Sequence, residues 1–129
     1  MLPKGPKLYN AQATTDKPGS HGSTRLHMDM SDAMNIMVYA SETVAGGPGY
    51  AIWDIFGASD AQELRLFMRR KFGIKSTHDP IHTQRWYLDT DTLEDLYTTT
   101  GIKSYRIFQR PGEAVFIPAG CAHQACLLI

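Results

Sequence analysis

Cysteine is nearly absent. With only Cys121 and Cys126 in 129 residues there is no disulfide framework, and the four residues between them fit neither a zinc ribbon nor a CxxC redox pair. A reducing compartment follows as the expectation. Net charge is also lacking: 13 basic side chains against 13 acidic ones remove any global drive toward nucleic acid or an anionic membrane. The longest basic run, Arg69-Arg70-Lys71 between Phe67 and Phe72, reads as the last turn of a helix and not as a nucleic-acid motif. No window approaches the roughly 18 apolar residues of a membrane span, and the opening Met-Leu-Pro-Lys-Gly-Pro-Lys has no signal-peptide core. The chain therefore reads as soluble and intracellular, without repeats or low-complexity tracts. The 43% apolar composition suits one globular core, which at this length buries roughly two-thirds of the unfolded surface.

Residues 1–23, rich in Pro and Gly, read as a mostly extended or loop lead-in, with Lys7-Leu8-Tyr9-Asn10-Ala11 as a short strand. Leu26, Met28 and Met30 alternate with His27 and Asp29, and Ala33–Ala40 is apolar enough for a buried strand. Tyr50–Phe56, after a Gly-Gly-Pro-Gly turn, is β-branched and aromatic, hence a third strand. Ser59-Asp60-Ala61-Gln62 is a capping-box pattern, followed by Leu64, Phe67, Met68 and Phe72 at helical spacing up to Gly73. A second helix begins near Thr90 or Asp91 and stops at Gly101. Ser104–Gln109, the turn Arg110–Glu113 and Ala114–Ile117 read as a strand-turn-strand unit. The sum is a mainly β domain, a barrel or sandwich, with two helices inserted.

The triplet His27-Met28-Asp29 carries the strongest chemical signal. In a strand, residues i and i+2 face the same way about 6–7 Å apart, so an imidazole and a carboxylate here can reach one divalent metal. The bland reading is a buried histidine beside an aspartate. His123, after the turn Pro118-Ala119-Gly120, supplies a second imidazole, and two His with one carboxylate form the facial triad that leaves positions open on a non-haem Fe(II). Those open positions suit a bidentate 2-oxo acid and dioxygen.

Several blocks resemble, in order and approximate spacing, the Jumonji C domain of the histone H3 lysine-9 demethylases. They are Gly5–Ala11, Gly22–Tyr39, Asp79-Pro80-Ile81-His82, Trp86-Tyr87-Leu88-Asp89 and Gly112–Gln124. The fungal members are most similar, particularly at Ala51–Phe56. The resemblance covers essentially the whole chain, 1–129. It implies a double-stranded β-helix of the cupin-like or jelly-roll kind that binds Fe(II) and 2-oxoglutarate. It also implies hydroxylation of an N-methyl group on a histone lysine, with collapse of the hemiaminal to formaldehyde, a methylated histone tail peptide as partner, and the nucleus as location. By the same resemblance His27, Asp29 and His123 are the metal ligands and catalytic centre, while Tyr9, Thr24 and Asn35 surround the 2-oxoglutarate. Thr24, three residues before His27, has the wrong parity for that face unless the strand bends. His82, His78 and His21 read as scaffold or exposed loop, and Trp53 and Trp86 as core.

Two departures from the family pattern stand out. Many relatives place a lysine against the distal carboxylate of 2-oxoglutarate; seventeen residues past His27 this chain has Val44, and losing a buried cation there costs on the order of 2–5 kcal/mol unless Arg106 or another base replaces it. Relatives also continue past the distal histidine, so the domain is expected to be incomplete at both ends, its final strand missing and a sheet edge left open. Three readings follow: a 2-oxoglutarate-dependent oxygenase of the histone-demethylase type, a truncated non-catalytic metal-binding or interaction remnant of the same fold, and a generic cupin-like protein acting on a small molecule.

Overall fold

The structure, a computed structural model, describes residues 6–129; Gly5 and the opening Met1-Leu2-Pro3-Lys4 lie outside the described residues. The aromatic and β-branched run becomes β3 (Tyr50–Ile55), buried on both faces. Such a run can only be a central strand. On one side it pairs antiparallel with β4 (Tyr105–Gln109), on the other with β6 (His123–Leu128), and β6 in turn pairs with β1 (Thr24–His27), giving the order β1-β6-β3-β4. A second, two-stranded sheet pairs β2 (Ala33–Ile36) with β5 (Ala114–Ile117).

The two sheets face each other across a shared core. Ala51, Trp53, Ile55 and Ala125 of the larger sheet pack with Val115 and Ile117 of the smaller. The opposite face of the larger sheet is covered by α1 (Ala61–Phe72), α2 (Thr90–Thr100) and the segment before α2. There Phe56, Leu64, Met68, Ile81, Leu88 and Leu96 form a second core, each fully buried. At about 25 cal/mol per Å² of apolar area this double-sided burial is the main stabilising term. The mainly β fold with two inserted helices is therefore realised as antiparallel sheets packed face to face.

Several local expectations change in the structure. Lys7–Ala11 forms no strand; Leu8 and Tyr9 are exposed and find no sheet partner among the described residues. Residues 12–23 are loop, tied down by Thr14 N–H to the Leu127 carbonyl, Thr90 N–H to the Asp16 carbonyl and Gly19 N–H to the Asp89 carboxylate. The strand from Ala33 stops at Ile36, because β5 offers it only four partners. The unit spanning 104–117 is no hairpin: β4 joins the larger sheet and β5 the smaller. Its turn bonds instead to the end of β2, with Gly112 N–H to the Met37 carbonyl and Met37 N–H to the Glu113 carbonyl. The residues after the distal histidine, read only as a re-entry, make β6 at the middle of the larger sheet, so its outer strands are β1 and β4.

Both helices end as glycine predicts, at Gly73 (φ 62°) and Gly101 (φ 78°) in the left-handed region. Their starts differ. Asp89, extended before α2, accepts the Thr92 N–H at 2.9 Å. Asp60 before α1 is already helical and makes no capping bond, because a 3-10 turn over Ala58–Asp60 leads directly into the helix. The capping-box pattern at Ser59–Gln62 therefore marks the helix start without supplying its cap.

Candidate metal centre

β1 and β6 bring the two imidazoles together because His27 and His123 are directly paired in the antiparallel register. Their ring centroids are 4.2 Å apart. Asp29 follows β1, and its backbone is pinned by the turn that precedes β6: Gly120 N–H donates to the Asp29 carbonyl at 3.0 Å and Ala119 N–H to the Asp32 carboxylate at 2.7 Å. The turn that delivers His123 thus also fixes Asp29.

The three side chains converge. Asp29 Oδ2 lies 3.9 Å from His27 Nε2 and 3.7 Å from His123 Nε2, and all ligand atoms of the group fall within 4.8 Å of one another. A triangle with these sides has a centre no more than about 2.5 Å from each corner, against metal–N and metal–O bonds of about 2.0–2.2 Å. A side-chain shift of a few tenths of an ångström closes that gap.

The hydrogen bonds behind the ligands also fit a metal. His27 Nδ1 is 2.9 Å from the Arg25 carbonyl and His123 Nδ1 is 3.0 Å from the Cys121 carbonyl. A carbonyl only accepts, so Nδ1 carries the proton in each ring. Both Nε2 lone pairs are then free and aimed at the same point, the tautomer that outer partners impose on metal-binding histidines. Burial, the largest influence, pulls the His123 pKa below the ordinary imidazole range, and His27 acts in the same direction. The Cys121 carbonyl and Asp29 push the other way without overcoming it. His123 is therefore held neutral, as ligation requires. Asp29 is half-exposed and keeps one side of the group open.

An open cleft of about 600 Å³ borders this group at His27 and Asp29, and Lys7, Tyr9, Ser23, Thr24, Arg25 and Gln84 complete its lining. Tyr9 and Thr24 are thus brought to the triad. The parity objection to Thr24 is met by a bulge: Thr24 and His27 pair with Ala125 and His123, so three residues of β1 span two of β6 and the strand bends between them. Asn35 is not part of that wall. It lies on β2 with its side-chain oxygen accepting from Gln109 Nε2 at 3.1 Å, while Gln109 Oε1 accepts from Trp53 Nε1 at 2.8 Å. Trp53 in turn sits 6.2 Å from the His123 ring. Asn35 therefore reaches the centre only through Gln109 and Trp53.

Two further expectations are corrected. Val44 lies in a fully exposed turn closed by Thr43 and Gly47, so counting seventeen residues from His27 does not arrive at the cleft. Arg106, considered as a replacement cation, is committed elsewhere. Its guanidinium holds Asp54 through Nε (2.9 Å) and Nη2 (3.0 Å) and reaches Asp16 through Nη1 (2.9 Å). His82 and His78 are exposed, with the Asp79 carboxylate receiving the Ile81 and His82 N–H groups, so the Asp-Pro-Ile-His block is a turn scaffold. Trp53 is core, and Trp86 stacks on Phe72 with centroids 4.4 Å apart. Sequence reasoning missed Arg25, Lys7 and Gln84 as cleft residues. The one available signal was the pairing of Arg25 with His27 at i and i+2.

The family described as "JmjC domain, hydroxylase" matches residues 19–128. Lysine-specific demethylase 3 of Drosophila melanogaster is 37% identical over 155 residues, covering 93% of this chain and 18% of that protein. Lysine-specific demethylase 3A of Homo sapiens is 34% identical, covering 93% of this chain and 12% of that protein. Lysine-specific demethylase JMJ26 of Arabidopsis thaliana is 29% identical over 172 residues, covering 93% of this chain and 20% of that protein. The chain thus spans a fifth or less of the length of these relatives. With a family match across both sheets and all three convergent side chains, the chain belongs to the JmjC domain family.

Proposed function

We propose that the chain is the oxygenase core of a histone-demethylase-type enzyme, with His27, Asp29 and His123 as ligands of one Fe(II) and a 2-oxo acid as cosubstrate. The observation that carries this reading is the convergence of two Nε2 atoms and one carboxylate oxygen, each imidazole locked by a backbone carbonyl on its far side. When bound, Fe(II) with 2-oxoglutarate would supply the activation of dioxygen, one oxygen atom going to succinate as carbon dioxide leaves and the other to the N-methyl group, whose hydroxymethyl product releases formaldehyde.

The chain's own residues bind and orient. The Arg25 and Cys121 carbonyls accept from each Nδ1–H, so in the neutral tautomer each imidazole offers its lone pair at Nε2. The Pro118–Cys121 turn holds Asp29 against the histidines through its bond from Gly120. Trp53, fixed by Gln109 and Asn35, supports His123 from the core side, where Ile55 and Ala125 exclude water. Tyr9 and Thr24 offer hydroxyls to the 2-oxo acid at the cleft wall. The substrate in this reading is a methylated lysine of a histone tail and the site of action the nucleus, which the names of the relatives support. Among the described residues no helix is long and apolar enough to cross a membrane.

The test is turnover. Protein supplied with Fe(II), ascorbate, 2-oxoglutarate and a dimethyl-lysine-9 histone H3 peptide should release succinate and formaldehyde, and His27→Ala should release neither. Metal binding without succinate or formaldehyde above that control would leave a metal-binding module in place of an enzyme.

A further inference from the structure

A diagonal row of side chains crosses the larger sheet and ends at the triad. In the register of that sheet Gln109 pairs with Ala51, Trp53 with Ala125, Ile55 with His123, and His123 with His27. Trp53 of β3 therefore stands diagonally between Gln109 of β4 and His123 of β6. Diagonal partners lie about 7–8 Å apart, within reach of an aromatic ring. The Trp53 and His123 centroids are 6.2 Å apart with their planes at 31°. Gln109 Oε1 accepts the Trp53 indole N–H at 2.8 Å, and Gln109 is 1% exposed. The orientation of its amide is forced. An indole N–H only donates, so Oε1 must face it, and Nε2 then meets the Asn35 and Glu113 carbonyls, which only accept, together with the Asn35 side-chain oxygen, each at 3.1 Å. The amide cannot flip without stranding buried polar groups on β2, on β3 and in the turn before β5.

We infer that Gln109 is a positioning residue of the metal centre: by holding the Trp53 indole against His123 it sets where the Nε2 of that imidazole points. This rests on the metal-binding part of the proposed function. The bond from His123 Nδ1 to the Cys121 carbonyl ties the ring only to its own turn, two residues back, so ring and turn can shift together. Contact with Trp53 ties the ring to β3, and Gln109 ties β3 to Asn35 of β2 and to the Glu113 carbonyl. The seating of the smaller sheet thereby reaches the triad. Small displacements matter there, because the ligand atoms already stand a few tenths of an ångström outside bonding distance of a common centre. Groups that orient a metal ligand directly typically change metal affinity 10- to 100-fold, and Gln109 acts one side chain further out, so a smaller effect is expected.

The experiment uses the full chain and three readouts: Mn(II) affinity by titration, the visible absorption of bound Co(II) as a report on ligand geometry, and the urea midpoint of the metal-free protein. Gln109→Met, which cannot accept the indole N–H, should weaken Mn(II) by roughly three- to tenfold and alter the Co(II) spectrum. Gln109→Glu keeps an oxygen for that N–H but loses the amide donors. Its urea midpoint should fall, while its Mn(II) affinity and Co(II) spectrum should return most of the way to wild type. Trp53→Phe cuts the same bond from the other side and should match Gln109→Met in metal affinity, and adding Gln109→Met to it should cost nothing further. If Gln109→Met does not fold, Trp53→Phe and Gln109→Glu carry the same comparison. The inference is overturned, with the metal site left standing, by either of two results. One is wild-type affinity and spectrum in Gln109→Met or Trp53→Phe; the other is a loss in Gln109→Glu that tracks its stability. Losses that multiply in the double variant also overturn it, because Gln109 would then act by another route than Trp53. Wild-type protein that takes up neither Mn(II) nor Co(II) overturns both the inference and the proposed function.

Discussion

Replacing Arg106 with methionine separates a structural clip from a substrate cation. The Asp54 side chain is 1% exposed and accepts from Arg106 twice, from Ser104 Oγ at 2.9 Å and from Gln124 Nε2 at 3.2 Å. Removing the guanidinium leaves a buried carboxylate with two neutral donors. Breaking a fully buried pair costs about 3–5 kcal/mol, but the Arg106 side chain is 30% exposed and water reaches part of the gap, so about 2–4 kcal/mol is expected. For a chain of this length that lowers Tm by roughly 6–14 °C. Urea denaturation followed by tryptophan fluorescence should show a lower midpoint with an unchanged slope, and Asp54→Asn combined with Arg106→Met should regain part of the loss because no charge is then stranded. The affinity of the Mn(II)-loaded protein for 2-oxoglutarate should not move. A loss below about 0.5 kcal/mol, as for an exposed pair, or a selective loss of 2-oxoglutarate binding at unchanged stability would refute the assignment of Arg106 to the fold.

Other expectations are local. Gly22 has φ +62° and a Cβ there would run into the Tyr87 ring, whereas Gly19 has φ +83° with open space around it. Gly22→Ala should therefore cost about 2–4 kcal/mol and Gly19→Ala only about 1–2 kcal/mol for the left-handed backbone, read by denaturant midpoints; equal costs would remove Tyr87 from the explanation. Burial pushes the Asp89 carboxyl upward, but the Thr92 and Gly19 N–H groups and the Thr92 hydroxyl together hold it below the ordinary carboxylate value of 3.8. A lowered pKa means this stabilisation is complete above the unfolded value and is lost as pH falls through the folded one. Asp89→Asn should be less stable by about 1 kcal/mol at pH 7, with the gap closing below about pH 4; a gap independent of pH would show that charge plays no part in the cap.

The parts of the fold legible in the sequence were those set by local chemistry. Gly73 and Gly101 end their helices because each adopts the left-handed conformation that other residues resist, and Tyr50–Ile55 is a central strand because Ala51, Ile52, Trp53 and Ile55 bury apolar side chains on both of its faces. The convergence of His27, Asp29 and His123 was legible because His27 and Asp29 stand two residues apart, and a Pro-Ala-Gly turn leads the chain back to the second histidine, although Asp29 lies past the end of β1 and is set by that turn. What was hidden depends on partners distant in sequence. The Pro111-Gly112 turn looks like a hairpin, yet its neighbours belong to different sheets because Met37 competes successfully for its backbone groups. The bulge at Arg25 leaves no composition signal, since it arises from the register of β1 against β6. Counting residues to Val44 failed for the same reason: loop length between β2 and β3 decides where the count ends, and here it ends in solvent.

The central claim is that His27, Asp29 and His123 hold one divalent metal, and titration of Mn(II) into the apo-protein tests it directly. The account predicts one site per chain, lost in His27→Ala and in Asp29→Ala while both variants keep the wild-type far-UV spectrum. Wild-type protein that takes up no metal, or variants that bind it as tightly as wild type, would contradict the account.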